Sequence, residues 1–106
     1  MSLENFFVED EKPVWGSPVE KQRRLRIKLS IAAYAYEIEN NSIMTDHDFD
    51  HQCLEVDTSM DTGNPTVDAF FKQWFDPSTG QWIHHHPELY RIKEIYFKYY
   101  AGLAQR

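Results

Sequence analysis

Apolar residues return along this chain at helical spacing. Ser17-Pro18-x-Glu20 has the layout of a helix start, with serine as N-cap, proline at the first helical position and glutamate at the third. From there to about Asn40 no glycine or proline interrupts the chain, and two apolar stripes overlap: Leu25, Leu29, Ala32, Ala33, Tyr36 and Ile27, Ile31, Tyr34, Ile38. A single stripe marks a surface helix; two predict a helix buried on more than one side in its second half. Asn40-Asn41-Ser42 ends it, and a short connector carries Ile43 and Met44. Thr45-x-x-Asp48 has capping-box spacing, with aspartate in place of glutamate, and predicts a second helix with Phe49, Cys53 and Val56 on one face.

The stretch Asp57 to Pro65 is made of turn residues, after which Asn64-Pro65-Thr66 opens a short helix through Val67, Phe70, Phe71, Trp74 and Phe75. Asp76-Pro77-Ser78-Thr79-Gly80 reads as a loop. Leu89, Ile92, Tyr96, Tyr99 and Leu103 mark a last helix that starts near Pro87. No segment alternates in the manner of a strand, and there are no internal repeats. The predicted class is therefore all-α, with three longer helices (about 18–40, 45–58 and 87–104) and one short helix (about 66–75). These form a single domain, 18–106, after an irregular arm of residues 1–17 in which Phe6, Phe7 and Trp15 are available to pin it to the core or to a partner.

Composition narrows the setting. At 106 residues the chain makes one domain, and an aromatic share of 15% predicts a core built from rings. No apolar run approaches the roughly 20 residues needed to span a bilayer, and the N-terminus lacks the basic start and apolar stretch of a signal peptide. A single cysteine, Cys53, excludes an intramolecular disulfide and suits a reducing compartment, so the expectation is a cytoplasmic protein with no membrane association. The net charge of −6 argues against direct nucleic-acid binding, which depends on phosphate neutralisation. Five of the eleven basic residues (Lys21, Arg23, Arg24, Arg26, Lys28) nevertheless sit close together; such a block meets phosphate or an acidic partner, or forms a solvated helical face.

The most chemically dense stretch is IMTDHDFDHQ, Ile43 to Gln52. Asp46-x-Asp48-x-Asp50 reproduces the first three ligand spacings of a calcium-binding EF-hand loop. The glycine required at the sixth position is His51 and the glutamate required at the twelfth is Asp57, which rules calcium out. His47 and His51 share a helical face, with His84, His85 or His86 as a third zinc ligand. There is no intervening glutamate of the metalloprotease type and no second cysteine, so no metal is expected. Asp46 and Asp50, four apart, are close enough for one to raise the other's pKa, while acids at a helix start are also what the macrodipole favours.

Tyr34-x-Tyr36, nine residues, then Asp46-x-x-Phe49-Asp50 resembles the small N-terminal helical subdomain, domain Ia, of NAD-dependent DNA ligases. That subdomain typically reads Y-x-Y-H, a short loop, then D-x-x-Y-D. The likeness runs without a gap over residues 25–56, and His86-Pro87-Glu88-Leu89 is similar to a segment that often follows it, here about thirty residues later. The resemblance implies a helix–loop–helix that recognises the nicotinamide mononucleotide (NMN) half of NAD. It implies Tyr36 stacking on the nicotinamide ring, and Asp46 and Asp50 accepting from the carboxamide or ribose, or complementing the pyridinium. Glu37 stands where the family has histidine, replacing a potential phosphate donor with a repelling charge, and Phe49 where it has tyrosine, keeping the ring without its hydroxyl.

None of the lysines lies in the K-x-D-G motif of a nucleotidyltransferase, so no catalytic residue is expected and the chain is not a ligase by itself. Small phage-encoded proteins related to these ligases have this layout, and the chain resembles them. The resemblance implies a non-catalytic interaction or regulatory protein on a ligase Ia-like scaffold, linked to DNA metabolism in the host cytoplasm, with a protein partner or self-association. The alternatives are a stand-alone NMN- or NAD-binding module, with Tyr36, Glu37, Asp46, Phe49 and Asp50 as its binding residues and no cofactor required, and a subunit of a multi-chain ligase-like assembly.

Overall fold

The computed structural model describes residues 13–103, with the side chain of Leu103 excepted; residues 1–12 of the expected arm lie outside it. The all-α class and the number of helices are as the sequence predicts. Helix α1 spans Pro18–Glu37, α2 Asp46–Cys53, α3 Pro65–Trp74 and α4 Leu89–Ile95. A 3-10 turn, Gln81–His85, joins α3 to α4, and α4 continues through a wider π turn, Tyr96–Tyr100, into a short 3-10 turn, Ala101–Leu103. The expected 87–104 helix is thus one axis in three hydrogen-bonding regimes. No helix among the described residues is long and apolar enough to cross a membrane.

The caps read at Ser17 and Thr45 are both made, and Asn64, where the short helix is expected to open, caps it too. Ser17 Oγ accepts from Glu20 N at 3.2 Å, Thr45 Oγ1 from Asp48 N at 3.0 Å, and Asn64 Oδ1 from Val67 N at 3.2 Å. Each supplies an acceptor to an orphan N–H of the first turn.

Two helices stop earlier than the apolar pattern suggests. At the end of α1 the chain turns through Asn40, whose φ of 55° is left-handed, while Asn41 N returns to Ala35 O at 2.8 Å. Asparagine tolerates that conformation because its short polar side chain bonds locally. Helix α2 ends at Cys53 instead of near residue 58, tightening into Glu55 N to Gln52 O at 3.0 Å and Val56 N to Cys53 O at 3.3 Å. Past that point the backbone is held by α1: Gln22 Oε1 accepts from Asp57 N at 2.8 Å, and Arg26 Nη2 donates to Asp57 O at 2.7 Å and Met60 O at 3.1 Å.

Helix α1 is the central post. Residues Leu29 to Ala35 are all buried, a run possible only when neighbours cover every side, and α2, the 3-10 turn and α4 all pack on it. Beside it lies the aromatic core. Trp82 sits 5.1 Å from Phe75, 5.6 Å from Phe71 and 6.1 Å from Phe70 between ring centroids, all tilted. Burial of such rings supplies most of the driving force for so short a chain. On the other flank Tyr34 meets Tyr96 edge to face at 5.4 Å.

One buried polar cluster interrupts the apolar interior. Arg26, only 3% exposed, pairs with Asp68 at 2.8 Å, and its guanidinium lies 4.9 Å over the Phe71 ring. Asp68 also accepts from Thr62 N at 2.9 Å and Thr62 Oγ1 at 2.7 Å. The basic block is therefore not a uniform solvated face: Arg26 points inward and ties the 57–62 turns to α1.

Candidate functional site

The end of α1, the connector and the start of α2 enclose a cleft of about 290 Å³ whose fourth wall is the 78–80 loop. The five residues expected to bind a nucleotide (Tyr36, Glu37, Asp46, Phe49 and Asp50) all line it, together with Ala32, Ala33, Ser42, Met44, Ser78, Thr79 and Gly80. Their convergence follows from helix geometry. Tyr36 and Glu37 are on the last turn of α1; Asp46, Phe49 and Asp50, at i, i+3 and i+4, share one face of α2.

The tyrosine pair separates. Tyr34 is buried, donates its hydroxyl to Glu39 and packs on Tyr96; burial first, then Glu39, pushes its pKa up. Tyr36, two residues on and therefore on the opposite face, is 57% exposed at the cleft. Of the five, Phe49 and Glu37 are half-buried, while Asp46 and Asp50 are exposed.

Among the described residues no lysine or arginine is within ion-pair distance of Glu37, Asp46 or Asp50. The basic side chain that the described residues do bring to them is His84, whose Nε2 is 3.9 Å from Glu37 Oε1. An imidazole thus stands beside Glu37 from a distant segment, although position 37 itself is a carboxylate. Three carboxylates round one small cleft make it a region of negative potential that favours a cation. Beneath α2, burial pushes the Cys53 thiol up to about 11, with the Asp50 carboxylate adding to the shift, so this cysteine is held as an inert thiol.

The loop wall was not foreseen. Asp76 Oδ1 accepts from Ser78 N at 2.9 Å and Ser78 Oγ at 2.7 Å, which holds the Asp76 carboxyl below its usual range. Thr79 Oγ1 accepts from Gln81 N at 3.1 Å, and Trp82 Nε1 donates to Thr79 O at 2.7 Å. With its oxygen engaged by Gln81, the Thr79 hydroxyl keeps a proton to donate. A Cβ placed on Gly80 would stand 3.4 Å from Ala33 Cβ and 3.5 Å from Phe49 Cζ, so the loop backbone packs directly on the α1–α2 junction. The sequence carried the loop signal, Asp-Pro-Ser-Thr-Gly, but not its destination, which the buried Trp82 sets.

The histidines disperse. His47 and His51 stack on each other at 5.5 Å on α2, His85 stacks flat on Trp74 at 3.7 Å, and His86 is buried against Phe70 at 4.8 Å. Among the described residues no three histidine, cysteine, aspartate or glutamate side chains are grouped to hold a metal ion. His86 Nδ1 accepts from Glu88 N at 3.0 Å, and burial pulls its pKa down to about 4 against the opposing pull of Glu88. That fixes His86 as a neutral, structural ring.

No family model, curated protein or solved structure matches the chain.

Proposed function

We propose that the protein is a non-catalytic binding module that takes nicotinamide mononucleotide, or the nicotinamide half of NAD, in the α1–α2 cleft. The observation that carries this reading is the convergence of Tyr36, Glu37, Asp46, Phe49 and Asp50 on one cleft of about 290 Å³. An oxidised nicotinamide ring is flat and cationic and bears a carboxamide donor. An exposed tyrosine face, and carboxylates that have no lysine or arginine partner among the described residues, complement both properties. The resemblance to the ligase subdomain supports the same assignment, with Phe49 as a ring that packs without donating.

Calorimetric titration with NMN and with NAD tests it. Saturable binding is expected for the native chain, and Tyr36→Ala and Asp50→Ala should each weaken it about tenfold, as loss of a stacked ring or of a charge-assisted contact does. Absence of heat and of ligand-observed NMR broadening at millimolar NMN would end this reading. Binding that both substitutions leave untouched would move the nucleotide elsewhere.

A second reading, an interaction protein of DNA metabolism, rests on a separate surface. Tyr90, Phe97 and Tyr99 are 67%, 53% and 61% exposed and line one shallow depression on the α4 axis. Exposed aromatic clusters of this kind are what protein interfaces use as anchors. Phe97→Ser with Tyr99→Ser should abolish any concentration-dependent sedimentation, or any capture of a specific partner, while leaving NMN binding unchanged.

A further inference from the structure

Away from the cleft, a second cavity of about 190 Å³ opens where α1, α3 and α4 meet, and no residue lines both. Helix periodicity builds its walls. Arg23 and Ile27 stand at i and i+4 of α1, Val67 and Phe71 at i and i+4 of α3, and Ile92 and Ile95 at i and i+3 of α4. Five of these six side chains are apolar, so the floor is aliphatic and aromatic. His86, Glu88 and Arg91, at the entry to α4, supply polar groups to the same lining.

Most of the polar groups round this cavity are already answered. Arg26 is engaged by Asp68, Gln22 and two backbone carbonyls. Arg91 lies 3.5 Å from Glu88 Oε1, and Asn64 Nδ2 donates to Glu88 Oε2 at 3.2 Å. Two donors are left over. Half-buried Arg23 has no carboxylate within ion-pair distance among the described residues. His86 is only 8% exposed, and its Nδ1 accepts the Glu88 N–H, so the proton of the neutral ring sits on Nε2. That Nε2–H has no hydrogen-bond partner among the described residues, although buried donors are nearly always matched. With Arg26 offset by Asp68 and Arg91 by Glu88, the surplus is the single positive charge of Arg23.

We propose that this cavity binds a small apolar monocarboxylate, its carboxylate taking the Arg23 guanidinium and the His86 Nε2–H and its tail lying on the apolar floor. One surplus charge and one neutral donor match one carboxylate. A neutral alcohol forgoes the charge-assisted contact. Inorganic phosphate has no tail to bury and brings a second negative charge toward Glu88. At roughly 30 Å³ per heavy atom, the volume share of a water in the liquid, the cavity holds about six heavy atoms. Hexanoate, with its carboxylate at the mouth, has that size.

Calorimetric titration of the full chain tests this, with hexanoate as the probe and hexanol and inorganic phosphate as comparisons. Hexanoate should bind saturably, hexanol about tenfold more weakly, and phosphate should not displace hexanoate. Arg23→Gln should weaken hexanoate about tenfold and leave hexanol unchanged. Arg91→Gln should weaken it only about twofold, since that guanidinium is exposed and shared with Glu88. Glu88→Gln removes the acid of the lining and should strengthen hexanoate by a similar factor. Should Arg23→Gln lose its helical circular dichroism, Glu88→Gln keeps the test alive, because misfolding does not raise affinity. In heteronuclear NMR spectra the His86 Nε2 resonance and the Val67 and Ile95 amides should move with added hexanoate. The proposal is overturned by hexanol binding as tightly as hexanoate, or by an affinity indifferent to both Arg23→Gln and Glu88→Gln. Shifts confined to other surfaces, or no saturation at millimolar hexanoate, would overturn it equally.

Discussion

Two clusters of charge lie along α1, one at its middle and one at its C-terminal end, and they are built on opposite terms. At Arg26 every strong group is answered: the guanidinium meets Asp68, Gln22 Oε1 and the carbonyls of Asp57 and Met60, and Asp68 in turn takes Thr62 N and Oγ1. At the C-terminal end of α1, Glu37, Asp46 and Asp50 face a cleft with no lysine or arginine partner among the described residues. A buried charge must be paired, because desolvation without a partner costs several kcal/mol. An exposed acid has no such obligation, since water solvates it. Self-sufficient charge is architecture, whereas charge gathered and left unanswered beside an exposed ring is a surface suited to a ligand. The lesson is that density of acids in a sequence says less than whether the fold completes their pairing.

Breaking the Arg26 cluster should produce the largest effect. Arg26→Met leaves the Asp68 carboxylate buried with only Thr62 for company and should cost about 3–5 kcal/mol, read as a fall in the urea midpoint. Arg26→Met combined with Asp68→Leu should recover part of that loss by removing the stranded charge. It will not recover all, because the carbonyls of Asp57 and Met60 and the N–H of Thr62 lose their partners. A single substitution as harsh as the double one would show that the loop contacts, and not the ion pair, dominate.

Next in size is a pH effect. His86 titrates near 4 in the folded chain and near 6.5 when unfolded. Between those values the unfolded state binds more protons, so stability is full above about pH 6.5 and falls as pH drops toward 4, by about 2 kcal/mol once the solvent-facing edge of the ring is discounted. His86→Phe should flatten the urea midpoint over that window relative to the native chain, whatever it does at pH 7. An unchanged slope would place the acid sensitivity on the carboxylates instead.

How much of this was legible depended on the range of the interaction concerned. The caps at Ser17, Thr45 and Asn64 are satisfied within three residues, so the local pattern sufficed. The end of α2 was not legible, because what claims the chain after Cys53 is Gln22 and Arg26 from more than thirty residues away. Arg26 itself hid in a basic run. The available clue was spacing: Gln22, Arg26 and Ser30 form a polar stripe at i, i+4 and i+8, and all three are buried. Of the rings that the composition predicts for the core, Trp82 is buried, while Trp15, Trp74, Tyr90, Phe97 and Tyr99 remain exposed. In the cleft, the five residues singled out by resemblance were found together. The 78–80 wall was not anticipated, since a loop's position is set by its anchors, here the Trp82 indole on Thr79 O.

A smaller effect separates helix chemistry from ligand chemistry inside the same acidic stretch. Thr45→Ala removes the α2 cap and should cost about 1 kcal/mol in the urea midpoint. Its influence on nucleotide binding should be indirect and modest.

Smallest of all in stability, and sharpest for the comparison, is neutralisation of the cleft. Asp50→Asn removes one of three neighbouring carboxylates without removing a hydrogen bond or ion pair recorded among the described residues, so stability should change by no more than about 0.5 kcal/mol. Relief of like-charge repulsion among the three carboxylates points to a slight gain. The sign matters because it is opposite to that at Arg26: a charge kept for architecture destabilises when removed, whereas one kept for a ligand does not. Paired measurement of the urea midpoint and NMN affinity on Asp50→Asn and Asp46→Asn decides the matter. Unchanged or raised stability with affinity lowered about tenfold identifies the acids as ligand-facing. A loss of stability near that of Arg26→Met would make the cleft a second structural cluster and erase the distinction between the two charge clusters.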